Sequence, residues 1–301
     1  MRPVALIGAA SGWGAGFRAA EDGPEGLRSF GLADRLNDAG IPAQWTAMVQ
    51  TERSWRDGGN PTTDEIFGLV ARHNRALAAE VERTIRRRQL PLVIGGDHAV
   101  AIGTWGGVAR AIGAPVGLIW LDAHLDAHTP ATTLSMNPHG MGTAVLLGEG
   151  TPDFLGIGGN AVRPENLCFI GIRSYEVGEW ATLRRRGAKI FYMDEVEERG
   201  FDAVFREAVG IATRGTAGFG LSIDLDGFDP EEVPGVGLKT RGGLRGAEVA
   251  AALRGIAAHP RCRALEIVEY IPEMDEDRRT ARLVLDLATA CLAPVVAMAP
   301  V

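Results

Sequence analysis

Short apolar runs recur along this 301-residue chain, and most are continuous rather than alternating. They cover Val4–Gly8, Ala43–Val49, Pro91–Ile94, Val116–Leu121, Leu167–Ile172, Lys189–Met193, Phe219–Leu225 and Ala264–Tyr270. A strand with one wet face alternates apolar and polar residues, whereas a strand covered on both faces reads as an unbroken apolar run. Helical patterns fill the gaps, at Thr63–Arg88, His98–Ala111, Glu176–Arg186, Ala203–Thr213, Arg245–Ala257 and Asp277–Cys291. Strands that alternate with helices predict an α/β layered fold with about eight strands. No linker, fixed-period repeat or low-complexity tract interrupts the pattern, so residues 1–301 are expected to form a single domain.

In open α/β sheets, ligands sit beyond the carboxyl ends of the strands. The chemistry-bearing residues of this chain fall there. After VGLIW comes LDAHLDAH, residues Leu121–His128. Side chains two apart on a strand share a face, so Asp122, His124 and Asp126 are expected to converge. On a helix the same spacing would make them diverge. The run Phe219–Leu225 ends in SIDLDGFDP, which offers Asp224 and Asp226 on one face and leaves Asp229 before a proline to shape a turn. A third run, PLVIGG, ends at Asp97 and His98. Any one of these residues taken alone reads as a loop hydrogen-bonder. Together, so many carboxylates need cations to share a site. Six candidate ligands, His98, Asp122, His124, Asp126, Asp224 and Asp226, exceed what one zinc requires. Mixed nitrogen and carboxylate ligation suits ions such as Mn²⁺, in pairs that lower the pKa of a shared water.

Composition narrows the partners. A net charge of −7 argues against a nucleic-acid surface. No apolar run is long enough to span a bilayer, and MRPVALIGAASGWG lacks the pattern of a signal peptide. Three cysteines without CxxC spacing fit buried thiols in a cytoplasmic protein.

The motifs GGDH (Gly95–His98), DAHLD (Asp122–Asp126) and SIDLD (Ser222–Asp226), in this order, resemble those of the arginase/agmatinase ureohydrolases. The resemblance runs from about Val4 to Leu292. It implies a three-layer α/β/α fold with an eight-stranded parallel sheet, two Mn²⁺ ions, and hydrolysis of a small guanidino compound to urea and an amine. It also implies a homo-oligomer, a trimer or a hexamer. By resemblance, one ion is held by His98, Asp122, Asp126 and Asp224. The other is held by Asp122, His124, Asp224 and Asp226, and Asp126 also orients the attacking water. His139 in NPHG resembles the family's proton-shuttling histidine, a role that fits the need to protonate a leaving amine. Glu269 in EIVEYIP resembles the guanidinium-binding glutamate. Glu266 competes for that role, and at strand spacing only one of the two can face the site.

The segment AHTPATTLSMNPHG has the length found in arginases, where Thr133, Ser135 and Asn137 match residues that contact the substrate α-carboxylate. This favours L-arginine, hydrolysed to L-ornithine and urea. Two positions depart from the arginase pattern. His128 stands where arginases carry Asn, and Glu176 stands where they place the Asp that contacts the substrate ammonium. Hydrolysis of 4-guanidinobutyrate or agmatine is therefore the alternative. Readings from other classes are a single-zinc amidohydrolase of the histone-deacetylase kind, a non-catalytic homologue, and a dinucleotide-binding oxidoreductase. The last rests on Gly14–Ala19 (GAGFRA), which lies too far from its strand for a tight phosphate-binding turn.

Overall fold

The computed structural model describes residues 2–294. All eight expected strands form: β1 (Val4–Ala10), β2 (Ala43–Gln50), β3 (Leu90–Gly95), β4 (Val116–Leu121), β5 (Val162–Ile172), β6 (Lys189–Tyr192), β7 (Phe219–Asp224) and β8 (Cys262–Val268). They make one parallel sheet in the order β2-β1-β3-β8-β7-β4-β5-β6.

Both faces of the sheet are covered, which is why the runs read as continuous. In β4, Ile119 and Leu121 pack into one core, while Val116, Leu118 and Trp120 pack into the other. The first core is closed by helices that include Phe201–Thr213 and Arg279–Leu292. The second is closed by Thr63–Arg86, Ala101–Ile112 and Val177–Arg186. The result is the α/β/α sandwich. No helix among the described residues is long and apolar enough to cross a membrane.

Several boundaries differ from expectation for local reasons. The segment from His98 opens as a 3-10 turn over His98–Val100, because the Asp97 side chain accepts from Ala99 N at 2.9 Å and caps it. The helix expected at Arg245–Ala257 covers only Gly246–Ala252, and Gly255 turns the chain at φ +75°. GAGFRA runs from the loop after β1 into a 3-10 turn at Arg18–Asp22, with Gly14 N bonded to Asp97 Oδ2 at 2.9 Å. No strand-to-helix phosphate turn exists there.

The sheet order places β3, β8, β7 and β4 side by side at its centre. Residues far apart in sequence therefore meet at one set of carboxyl ends.

Candidate metal centre and active site

Each central strand except β8 leaves the sheet through the same device. An aspartate at or just past the strand end accepts from the backbone N–H two residues on, which bends the chain into a short turn. Asp122 Oδ1 accepts from His124 N at 2.7 Å, Asp224 Oδ1 from Asp226 N at 2.8 Å, and Asp97 Oδ1 from Ala99 N at 2.9 Å. The pleat therefore does not gather these residues. β4 stops at Leu121 and β7 at Asp224, and the turns bring the side chains together. Asp126 is placed by a backbone in the left-handed region, at φ +48°. Thr143 fixes it: its backbone N–H donates to Asp126 O at 2.9 Å, and its hydroxyl lies 2.8 and 2.9 Å from the carbonyls of Leu125 and Asp126. Left-handed geometry in a non-glycine residue is costly and is sustained only where the surroundings enforce it.

His98, buried, lies flat on Trp120, with ring centroids 3.9 Å apart and an interplanar angle of 11°. Its Nδ1 is 3.2 Å from Asp122 Oδ2, 3.2 Å from Asp126 Oδ2 and 2.9 Å from Asp224 Oδ2. It makes no properly directed hydrogen bond to any of them. Asp226 Oδ1 is likewise buried without a donor. Buried polar atoms are normally paired, so unpartnered ones aimed at a common point fit a cation. Two sets of donor atoms lie close enough together to hold ions: His98, Asp122 and Asp224, and Asp122, His124 and Asp226. Asp122 belongs to both. Asp224 falls only in the first set, and Asp126 approaches it through His98.

The electrostatics show the same crowding. Burial pushes Asp224 well above the usual carboxylate range, and the charges of Asp226 and Asp122 add to it. Burial and Asp122 together raise Asp126 to about 6. Burial raises Asp226 as well. Asp122 goes the other way: burial opposes ionisation, but His124 and His98 hold it well below its ordinary value. Burial would lower His124, yet Asp226 and Asp122 lift it to about 12. Four carboxylates sharing two imidazoles is a charge pattern that divalent cations relieve.

Past the strand ends opens a cleft of about 200 Å³. Its lining includes His124, Asp126, Asp224 and Asp226 on one side, and Thr133, Ser135, Asn137 and His139 on another. His128 and Glu176 line its outer part with Tyr175, Glu179 and Leu238. Every residue expected at the site thus lies in or against one cleft. Glu269 follows β8 in a left-handed conformation, φ +67°. Its Oε1 accepts from His98 N at 2.9 Å and lies 3.4 Å from His139 Nδ1. Glu266 faces elsewhere. It is fully buried and accepts from Trp105 and Ser222.

His139 is held from behind. Its backbone N–H donates to Gly14 O at 3.0 Å, and Gly14 N donates to Asp97. Burial alone would lower its imidazole, but Glu269 overrides this and holds it at about 9. In the outer cleft, His128 Nδ1 is 3.2 Å from Thr132 Oγ1, and its Nε2 is 3.7 Å from Glu176 Oε2 and 3.5 Å from Glu179 Oε2. Glu179 also accepts from Ala127 N and Glu176 N, so it braces the wall. Asp229 accepts from Glu231 N at 3.0 Å, as a turn-former does.

Sequence reasoning assigned no role to four residues near this centre. Trp120 Nε1 donates to Asp122 Oδ2 at 2.8 Å. Ser222 bonds His98 Nε2 at 2.9 Å. Arg173 donates to the carbonyls of Asp226, Gly227 and Phe228, fixing the turn after β7. Tyr175 lines the cleft mouth. Trp120 and Ser222 lie on strands, each two residues before a candidate ligand, a spacing the sequence does show.

Comparison with known proteins gives the family. The chain matches the family model described as "Arginase family" over residues 2–293. It is 36% identical to an arginase of Bacillus caldovelox over 95% of this chain and 97% of the relative. It is 34% identical to an arginase of Brevibacillus brevis over 95% and 96%. Among solved structures, arginase from Bacillus subtilis superposes with a TM-score of 0.88 at 31% identity, covering 98% of this chain and all (100%) of that one. An arginase of Entamoeba histolytica in complex with L-ornithine gives 0.86 at 26%, covering 97% and 99%. From the strand-end carboxylates to the whole-chain match, this chain belongs to the arginase family.

Proposed function

We propose that this chain hydrolyses L-arginine to L-ornithine and urea with two Mn²⁺ ions. The observation that carries the reading is the buried, unpartnered Nδ1 of His98, ringed by three carboxylate oxygens within 3.2 Å. His98, Asp122, Asp126 and Asp224 would hold one ion, and Asp122, His124, Asp224 and Asp226 the other. Bound there, the pair would supply an acidified water and positive charge against the anion that develops in the reaction.

The remaining steps belong to side chains. Glu269 accepts hydrogen bonds from the planar guanidinium and holds its carbon toward the aspartate cluster. Asp126 orients the attacking water. Water adds to the guanidinium carbon, and the bond to the δ-nitrogen breaks. His139, protonated at neutral pH, delivers a proton to the departing amine. At the outer end, Thr133, Ser135 and Asn137 take the substrate carboxylate, and Glu176 takes its ammonium. His128 closes the same wall.

One specific feature favours a second substrate. Glu176 already faces the imidazole of His128 at 3.7 Å, which suits a guanidino acid without an ammonium, such as 4-guanidinobutyrate. A urea-release screen over arginine, agmatine and 4-guanidinobutyrate with added Mn²⁺ tests the ranking. Arginine is expected to be turned over fastest. Inert arginine beside active 4-guanidinobutyrate would reverse it.

The same reading takes residues 1–301 as one domain of a cytoplasmic homo-oligomer, a trimer or hexamer. The single sheet running from β1 to β8 supports the first part, and three buried, unpaired cysteines are compatible with a reducing compartment. The oligomer rests on family resemblance.

A further inference from the structure

Behind the aspartate cluster, away from the cleft, runs a buried chain of hydrogen bonds. Trp105 Nε1 donates to Glu266 Oε2 at 3.1 Å. Ser222 Oγ donates to the same oxygen at 2.6 Å. Ser222 Oγ then lies 2.9 Å from His98 Nε2. All four residues are fully buried, and they come from three elements: the helix Ala101–Ile112, β7 and β8, with His98 entering from the end of β3.

The direction of these bonds matters. A serine hydroxyl has one proton to give. Ser222 gives it to Glu266, so toward His98 it can only accept. His98 must then carry its ring proton on Nε2, which leaves the Nδ1 lone pair free. That lone pair is the one aimed at Asp122, Asp126 and Asp224. With the ring flipped in tautomer, a proton would stand where a cation has to bind. A metal-ligating imidazole normally has its second nitrogen fixed in this way, most often by a carboxylate or a carbonyl. Here the carboxylate acts one residue removed, through a hydroxyl.

We infer that Glu266 and Ser222 are positioning residues that lock His98 as an Nδ1 ligand, with Trp105 anchoring the far end of the chain. The inference rests on the paired-cation reading above. It gives Glu266 a task distinct from that of Glu269, though the two are three residues apart. Glu269 works in the cleft, and Glu266 works on the opposite side of the ligand.

The test is calorimetric titration of Mn²⁺ alone into chelator-treated protein, with far-UV circular dichroism to confirm folding. Wild type is expected to bind two ions per chain. Ser222→Ala should lose affinity roughly 10- to 100-fold at one ion, the same ion that His98→Ala loses, and keep the other. Glu266→Gln retains an oxygen acceptor toward Ser222 and should titrate within a few-fold of wild type. Glu266→Leu leaves the hydroxyl free to turn its proton onto Nε2, and should behave like Ser222→Ala; it repeats the test if Ser222→Ala folds poorly. Wild-type titration curves for both Ser222→Ala and Glu266→Leu would overturn the inference while leaving two ions in place. Equal weakening at both ions in a folded Ser222→Ala would overturn it too. Fewer than two ions on wild type would instead remove the paired-cation reading, and this inference with it.

Discussion

His139 Nδ1 lies 3.4 Å from Glu269 Oε1, so the proposed proton donor and the proposed guanidinium clamp form one unit. Glu269 keeps that imidazole protonated to about 9 against the pull of burial. Replacing His139 with Asn should lower kcat by about 10²- to 10⁴-fold, the usual worth of a positioned acid. Mn²⁺ content should stay at the wild-type level. Near-normal kcat would leave the cluster intact but remove the shuttle.

Gly14 is fixed by space. A Cβ there would stand 2.2 Å from Asp97 Oδ1 and 2.7 Å from the Ala99 side chain. Asp97 cannot withdraw easily, because it is bonded to Gly14 N itself. Gly14→Ala should cost about 1–3 kcal/mol of stability through overpacking. It should also shift His139, whose N–H rests on Gly14 O, so that kcat falls at least tenfold at temperatures where the variant remains folded. A variant that loses stability with unchanged kcat would show that this strut does not position His139.

Asp224 touches His98 and belongs to the crowded carboxylates, so activity and cation binding should fail together in Asp224→Ala. Chelation of wild type should lower its melting temperature. Restoring Mn²⁺ at a hundred times its Kd should return about 2.7 kcal/mol for each ion bound. Full activity in Asp224→Ala would sink the two-ion site.

The outer wall is the proposed seat of substrate choice. His128→Asn removes the imidazole that faces Glu176 and Glu179. The ratio of kcat/KM for arginine over 4-guanidinobutyrate should rise roughly tenfold, as for one charged hydrogen bond regained. The change should appear in KM. An unchanged ratio would take His128 out of recognition.

His73 makes the fold itself acid-sensitive. It is fully buried in the helix Thr63–Arg86, and its Nε2 bonds Val49 O at 3.1 Å. Burial lowers its pKa to about 4. The folded value lies below the unfolded one, so the unfolded chain takes the proton first. Stability from this group is complete above pH 6.5 or so and is lost as pH falls toward 4, by about 3 kcal/mol. Denaturant unfolding of chelated wild type and His73→Gln at pH 7 and pH 4 measures it. An equal pH effect in both chains would place the sensitivity elsewhere.

What could be read from the sequence follows from what burial writes into it. Every strand was legible, because covering both faces of a parallel sheet forces unbroken apolar runs. The crowding of candidate ligands was legible because carboxylates and histidines gather at strand ends. How Asp122, His124 and Asp126 converge was not legible. Strand alternation gives the right neighbours, but the chain uses side-chain-capped turns and a left-handed Asp126. Glu269 and Glu266 look alike in EIVEYIP, where spacing says that only one faces the cleft and not which; Glu269 lies past the end of β8 in a left-handed turn, φ +67°. Arg173 showed no local signal, since the carbonyls it holds after β7 lie 53 to 55 residues away.

The last strand of the described residues, β8, fills the middle of the sheet, between β3 and β7. Until β8 has been synthesised, the halves β2-β1-β3 and β7-β4-β5-β6 have no shared edge to join. His98 and Glu269, which are 171 residues apart, cannot meet before then. A ribosome-bound chain therefore carries two exposed parallel edges and no finished cleft. Closure of the sheet and assembly of the cleft both wait on β8.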